Sequence, residues 1–116
     1  MALSKSEIME RAAGSLAVMT VEIPLLGTVL IKPLNVRGRK EWLRTFTSPD
    51  GKMDPERAID STTKIAARSL VNADGTQMFS EAEFDELSPE IADGIIAQVL
   101  KVNKIGKNAV AEEVKN

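Results

Sequence analysis

Val18-Met-Thr-Val-Glu-Ile-Pro-Leu-Leu-Gly-Thr-Val-Leu-Ile-Lys-Pro-Leu34 is the stretch that decides the fold. Its two arms, Val18 to Ile23 and Thr28 to Leu34, are rich in β-branched residues, whose stiff side chains suit a pleated strand. Between them Pro24-Leu-Leu-Gly27 carries two chain-breakers. Val21 and Ile23 alternate with Glu22, the two-residue period of a strand with one buried face. The stretch predicts a β-hairpin over residues 18–34. Pro33 marks a strand end, because proline has no N–H for the ladder.

Outside the hairpin the chain reads as helices and turns. Ser4-Lys-Ser-Glu7 has capping-box spacing and Ile8 and Ala12 follow at helical spacing, predicting a helix over 4–13 ended by Gly14. Its thin apolar face makes it peripheral, frayed or docked on a partner. Asn35 caps a helix to Phe46, with Val36, Leu43 and Phe46 on one side, Arg37, Lys40 and Arg44 on another, and Trp42 at the border. Ser48-Pro-Asp-Gly51 is a turn. Asp54-Pro55 opens a helix to about Val71, with Ala58, Ile59, Thr62, Ile65, Ala66 and Leu70 on its stripe. Asn72-Ala-Asp-Gly75 is a second turn, and Val71 and Gln77 to Phe79 flank it as a short second hairpin. Ser80-Glu-Ala-Glu83 caps a short helix to Glu86. Ser88-Pro89 opens the clearest helix, with Ile91, Ile95, Val99 and Val102 on one face and Ala92, Ile96 and Leu100 widening it, to about Asn103. Residues 107–116 read as a flexible tail. The expectation is one α+β domain over 1–116: mostly helical, notably over 36–103, with a small antiparallel sheet near the N-terminus.

Composition narrows the function. The chain has 116 residues, suited to one domain. It contains no cysteine and no histidine, which removes disulfides, thiolate ligands and the commonest general base. A formal net charge of −2 supplies no global field toward nucleic acid or an anionic membrane. The first residues do not read as a secretory leader, and no stretch approaches the roughly 20 apolar residues of a membrane span. The expected compartment is a cytoplasm.

No constellation asks for catalysis. Residues 70–81 faintly resemble a calcium loop, with Gly75 and Glu81 correctly spaced, but the first ligand position falls on Leu70, which has no side-chain oxygen. Arg37, Arg39, Lys40 and Arg44 read as the solvated face of one helix, the alternative being a phosphate-contacting face. Glu81, Glu83, Asp85, Glu86, Glu90 and Asp93 sit at helix starts, where negative charge suits the dipole. Catalytic, cofactor and metal residues are therefore expected to be none, and the protein is expected not to be an enzyme.

Taken in order, several features carry a likeness. They are Val21-Glu-Ile-Pro24 to Ile31-Lys-Pro-Leu34, the basic helix Asn35-Val-Arg-Gly-Arg-Lys, Val71-Asn-Ala-Asp-Gly75 with Met78-Phe79, Leu87-Ser-Pro89, Val102-Asn103 and Ala111-Glu-Glu-Val-Lys-Asn116. From about residue 20 onward the chain resembles the tail assembly chaperones of long-tailed, non-contractile bacteriophages of the lambdoid, siphovirus type. The resemblance implies a non-catalytic protein of the host cytoplasm, absent from the finished virion. It would keep the tape measure protein soluble and help gather tail tube protein. It also implies a frameshift-extended form of the same chain, for which Lys115-Asn116 suits an A-rich slippery run. A homo-oligomer is a further expected partner, self-association through part of the Ile91–Val102 stripe being the alternative to a pure core face; nucleic acid and membrane are not expected partners. Trp42, Phe46, Ile96 and Leu100 are the expected partner-binding residues, since aromatic anchors beside apolar stripes favour interfaces. The alternative is a structural subunit of a phage tail or neck retained in the virion.

Overall fold

Alternation and turn chemistry build the sheet first. In the computed structural model, which describes residues 2–47, 50–52, 55 and 60–105, strands β1 (Met19–Ile23) and β2 (Gly27–Ile31) pair antiparallel with Val21 opposite Val29. The predicted hairpin is present. Leu26 N–H closes its tip onto the Ile23 carbonyl at 3.1 Å, with Leu25 at φ 70°, a left-handed backbone that costs an L residue about 1–2 kcal/mol. Leu25 is also 78% exposed. Leu25→Gly should therefore raise stability by about 0.5–1 kcal/mol, the relief of strain less the extra unfolded-chain entropy of glycine. A melting temperature that falls instead would mean that the leucine side chain holds the tip.

The helices follow their caps. α1 (Lys5–Ser15) starts at Ser4, whose hydroxyl accepts from Glu7 N–H while the Glu7 carboxylate accepts from Ser4 N–H. It runs through Gly14 rather than stopping there. α2 (Val36–Arg44) is capped by the Asn35 side-chain oxygen, Oδ1, which accepts from Gly38 N–H at 2.8 Å. It ends two residues short of Phe46, where the chain tightens and Thr45 and Thr47 hydroxyls bond back to the Trp42 and Leu43 carbonyls. α3 is described over Ser61–Ser69; Asp54, Ala58 and Ile59, like Ser48, Pro49 and residues 107–116, lie outside the described residues. The expected continuation of α3 to Val71 does not occur. Leu70 and Val71 leave the helix as strand β3 (Leu70–Val71), paired with Ile31 and Leu30 of β2.

After β3 the predicted second hairpin forms: Val71 bridges Gln77 and Met78 N–H reaches the Leu70 carbonyl. Gly75 takes φ 88° in its turn, a conformation glycine adopts without a Cβ clash. α4 (Glu81–Asp85) has a second complete capping box, on Ser80 and Glu83. α5 (Pro89–Val102) starts from the Ser88 cap with proline in its first turn. It closes with paired bonds from Lys104 N–H to Lys101 O and from Ile105 N–H to Leu100 O, a Schellman ending with Lys104 at φ 58°.

The sheet order is β1-β2-β3. Ile23, Ile31 and Leu70 face one core with Trp42 and Phe46 from α2, Ile65, Ala66 and Ala67 from α3, Phe84 from α4, and Ile95 and Val99 from α5. α3 packs against α2, α4 and α5, and α5 crosses β1. That crossing is close: a methyl on Gly94 would stand 3.0 Å from Ile23 Cγ2. The result is an α+β domain, mostly helical, with a three-stranded antiparallel sheet made of the N-terminal hairpin and the later strand Leu70–Val71.

Candidate functional site

Aromatic anchors and an apolar stripe are what sequence offers as a binding surface, and the structure puts them elsewhere. Trp42 and Phe46 are wholly buried. Their rings meet edge to face with centroids 5.1 Å apart, and Trp42 Nε1–H donates to the Ser61 carbonyl at 2.7 Å. Trp42 is the centre of the buried face of α2, not its border, and Val36, expected beside Leu43 and Phe46, is 71% exposed. The reason is the far side of the contact. α3 presents the Ser61 carbonyl to the indole N–H and contributes Ile65, Ala66 and Ala67 to the same core. The proposed anchors are thus core residues, and a partner could touch them only by opening the domain.

Ile96 and Leu100 are half-buried and pack on the core from the flanks of the Ile95–Val99 line. The four expected contact residues therefore do not form one surface. The broad stripe of α5 serves two neighbours, β1 and α3.

Uncovered apolar side chains lie at the N-terminal end of the molecule instead. α1 buries no residue at all. Ile8, Met9, Ala12, Ala13 and Leu16 share one face by their spacing. Only the end of that face reaches the body, where Ala13 and Leu16 border a cleft with Pro33, Leu34 and Arg68. Ile8 and Met9 remain 53% and 61% exposed. An 11-residue helix is marginal on its own in water, and the local support of α1 is its capping box. This surface was legible only as a thin apolar face; among the described residues nothing covers Ile8 and Met9.

Charged groups show local roles. Arg37, Lys40 and Arg44 line the outer side of α2 with Val36 and Glu41. Glu41 lies 3.9 Å from Arg68, an exposed pair of little energetic weight. Asp74 is held below its ordinary pKa by the Thr76 hydroxyl at 2.6 Å and the Thr76 N–H at 3.0 Å, and Glu83 by the Ser80 N–H and hydroxyl of its capping box. Both shifts favour the ionised form and arise from turn and cap geometry. In the region resembling a calcium loop, Leu70 is a buried strand residue and the Asp74 carboxylate is engaged by Thr76.

Among the described residues no three His, Cys, Asp or Glu side chains gather at metal-binding distance. None of the described helices is long and apolar enough to cross a membrane. The polar residue that sequence reasoning passed over is Asn103. Its side-chain oxygen accepts from Leu34 N–H at 2.7 Å, and its amide donates to Val99 O at 2.9 Å and Ser69 Oγ at 3.2 Å. It ties the end of α5 to the segment after β2 and to the end of α3. Comparison with protein-family models, with curated proteins and with solved structures finds no match to this chain.

Proposed function

We propose that this protein is a tail assembly chaperone of a long-tailed, non-contractile bacteriophage. In this reading it acts stoichiometrically in the host cytoplasm, binding and solubilising the tape measure protein and helping to recruit tail tube protein. A frameshift-extended form of the chain would share the work. The sequence likeness from about residue 20 onward suggests the class. The structural observation that supports a holding function is α1, a capped helix whose Ile8 and Met9 are offered to solvent with no core behind them. Such an apolar face is costly to leave open and is covered by binding another apolar surface.

The test is co-expression with the tape measure protein, reading its soluble fraction and its co-purification. The tape measure protein should stay soluble only beside this chain. Ile8→Gln with Met9→Gln should weaken the complex by about tenfold or more, the loss of two interface side chains. Its denaturation midpoint should not move, because α1 contributes nothing to the core. A tape measure protein indifferent to this chain would remove the chaperone reading. Finding the chain in purified particles would then favour a structural subunit of the tail or neck.

A further inference from the structure

A strand edge left unpaired presents backbone donors and acceptors ready for another strand, and folded proteins guard such edges with proline, lysine or a bulge. The far side of β3 is guarded here by Gln77 and Met78, which bond to it. β1 is the open edge of the three-stranded sheet, and among the described residues no backbone partner occupies its outer side. Met19-Thr-Val-Glu-Ile23 contains no proline, no lysine and no bulge. Exposed apolar side chains, Val18 and Met19, stand at its start.

We propose that the open edge of β1 pairs antiparallel with β1 of a second copy of this chain, across a two-fold axis at Val21. Two three-stranded sheets then become one of six strands. The strand is self-complementary in that register. Met19 faces the partner's Ile23 and Thr20 faces the partner's Glu22, so the single charge on the strand never meets its own kind. The surroundings are complementary too. Ile23 lies against Gly94, while the groove beside the edge brings Met19, Thr20, Val21 and Glu22 alongside Lys101, Val102 and Lys104. α5 therefore runs against β1, and Glu22 stands along the same groove as the two lysines. A two-fold axis at Val21 brings two such grooves, each with a carboxylate and two ammonium groups, to one seam. Within the described residues Glu22, Lys101 and Lys104 have no ion pair to give up.

Sedimentation over a range of concentrations reads the equilibrium, and three variants test the geometry. Thr20→Lys places two lysines opposite two Glu22 carboxylates and should tighten the dimer by about fivefold. Thr20→Lys with Glu22→Lys turns the same contacts repulsive and should leave a monomer with an unchanged circular dichroism spectrum. The chain has no cysteine, so Thr20→Cys and Glu22→Cys can be mixed under oxidation. Directly opposed residues lie within disulfide reach, so the mixture should give a cross-linked pair that neither variant gives alone. A chain that stays monomeric at every concentration overturns the proposal. So does cross-linking of either cysteine variant with itself, which would mean another register, or a dimer indifferent to both lysine variants.

Discussion

Trp42→Ala is expected to destabilise the domain by about 3–5 kcal/mol, the range for removing a buried aromatic side chain and leaving its cavity. That is a large part of the roughly 5–15 kcal/mol that a domain has in total. Trp42 is wholly buried, stacks edge to face on Phe46 and hydrogen-bonds the Ser61 carbonyl at 2.7 Å. The alanine variant loses all three contributions at once. Trp42→Phe separates them: it keeps most of the apolar contact and drops the N–H donor, for about 1 kcal/mol from the hydrogen bond plus a smaller packing loss. Denaturant unfolding followed by circular dichroism measures both. The same experiment decides how any binding defect at Trp42 is read. Weaker partner binding with a large drop in midpoint is a consequence of unfolding; weaker binding with an unmoved midpoint would return Trp42 to an interface.

Asn103→Ala should cost about 2–3 kcal/mol, because it removes the acceptor of Leu34 N–H together with two bonds donated to Val99 O and Ser69 Oγ. Ser69 is a wholly buried polar residue, so the loss of its amide partner is felt in a site that water does not reach. Asn103→Asp gives a sharper result. The new carboxylate still accepts from Leu34, but it faces the Val99 carbonyl with an acceptor and puts negative charge at the end of α5, where the helix dipole disfavours it. Its folded-state pKa would therefore be raised. The stabilising contribution of its protonated form is present below the unfolded-state pKa and is lost as pH rises through the folded one. The variant should approach the parent protein in acid and fall behind at neutral pH. Parallel pH–stability curves for the two proteins would mean that the side-chain amide does not hold the Val99 carbonyl.

Both residues illustrate how far the sequence could be read. Trp42 was visible as the only tryptophan on an amphipathic helix, yet its side of the helix was placed wrongly. Helical spacing ranks faces by hydrophobicity, and Val36, Leu43 and Phe46 make a plausible face without it. The packing of α3 chose otherwise, and left Val36 in solvent. Asn103 was visible as a helix terminus but not as a tie, since its partners Leu34 and Ser69 are distant in sequence. Leu70 and Val71 fit the end of a helical stripe equally well as a strand. The free edge of β2 decided for the strand.

What the sequence by itself determined is local: the hairpin, both capping boxes, the Asn35 and Ser88 caps and the Gly75 turn. Each rests on bonds between residues a few positions apart, so a short window contains both partners. What only the tertiary structure decided is which side chains are covered. The burial of Trp42, the bareness of α1, the strand at Leu70–Val71 and the open edge of β1 depend on neighbours brought together from distant parts of the chain. Hydrophobic burial is non-directional and goes to whatever surface is nearest in space, and no window along the chain records that distance.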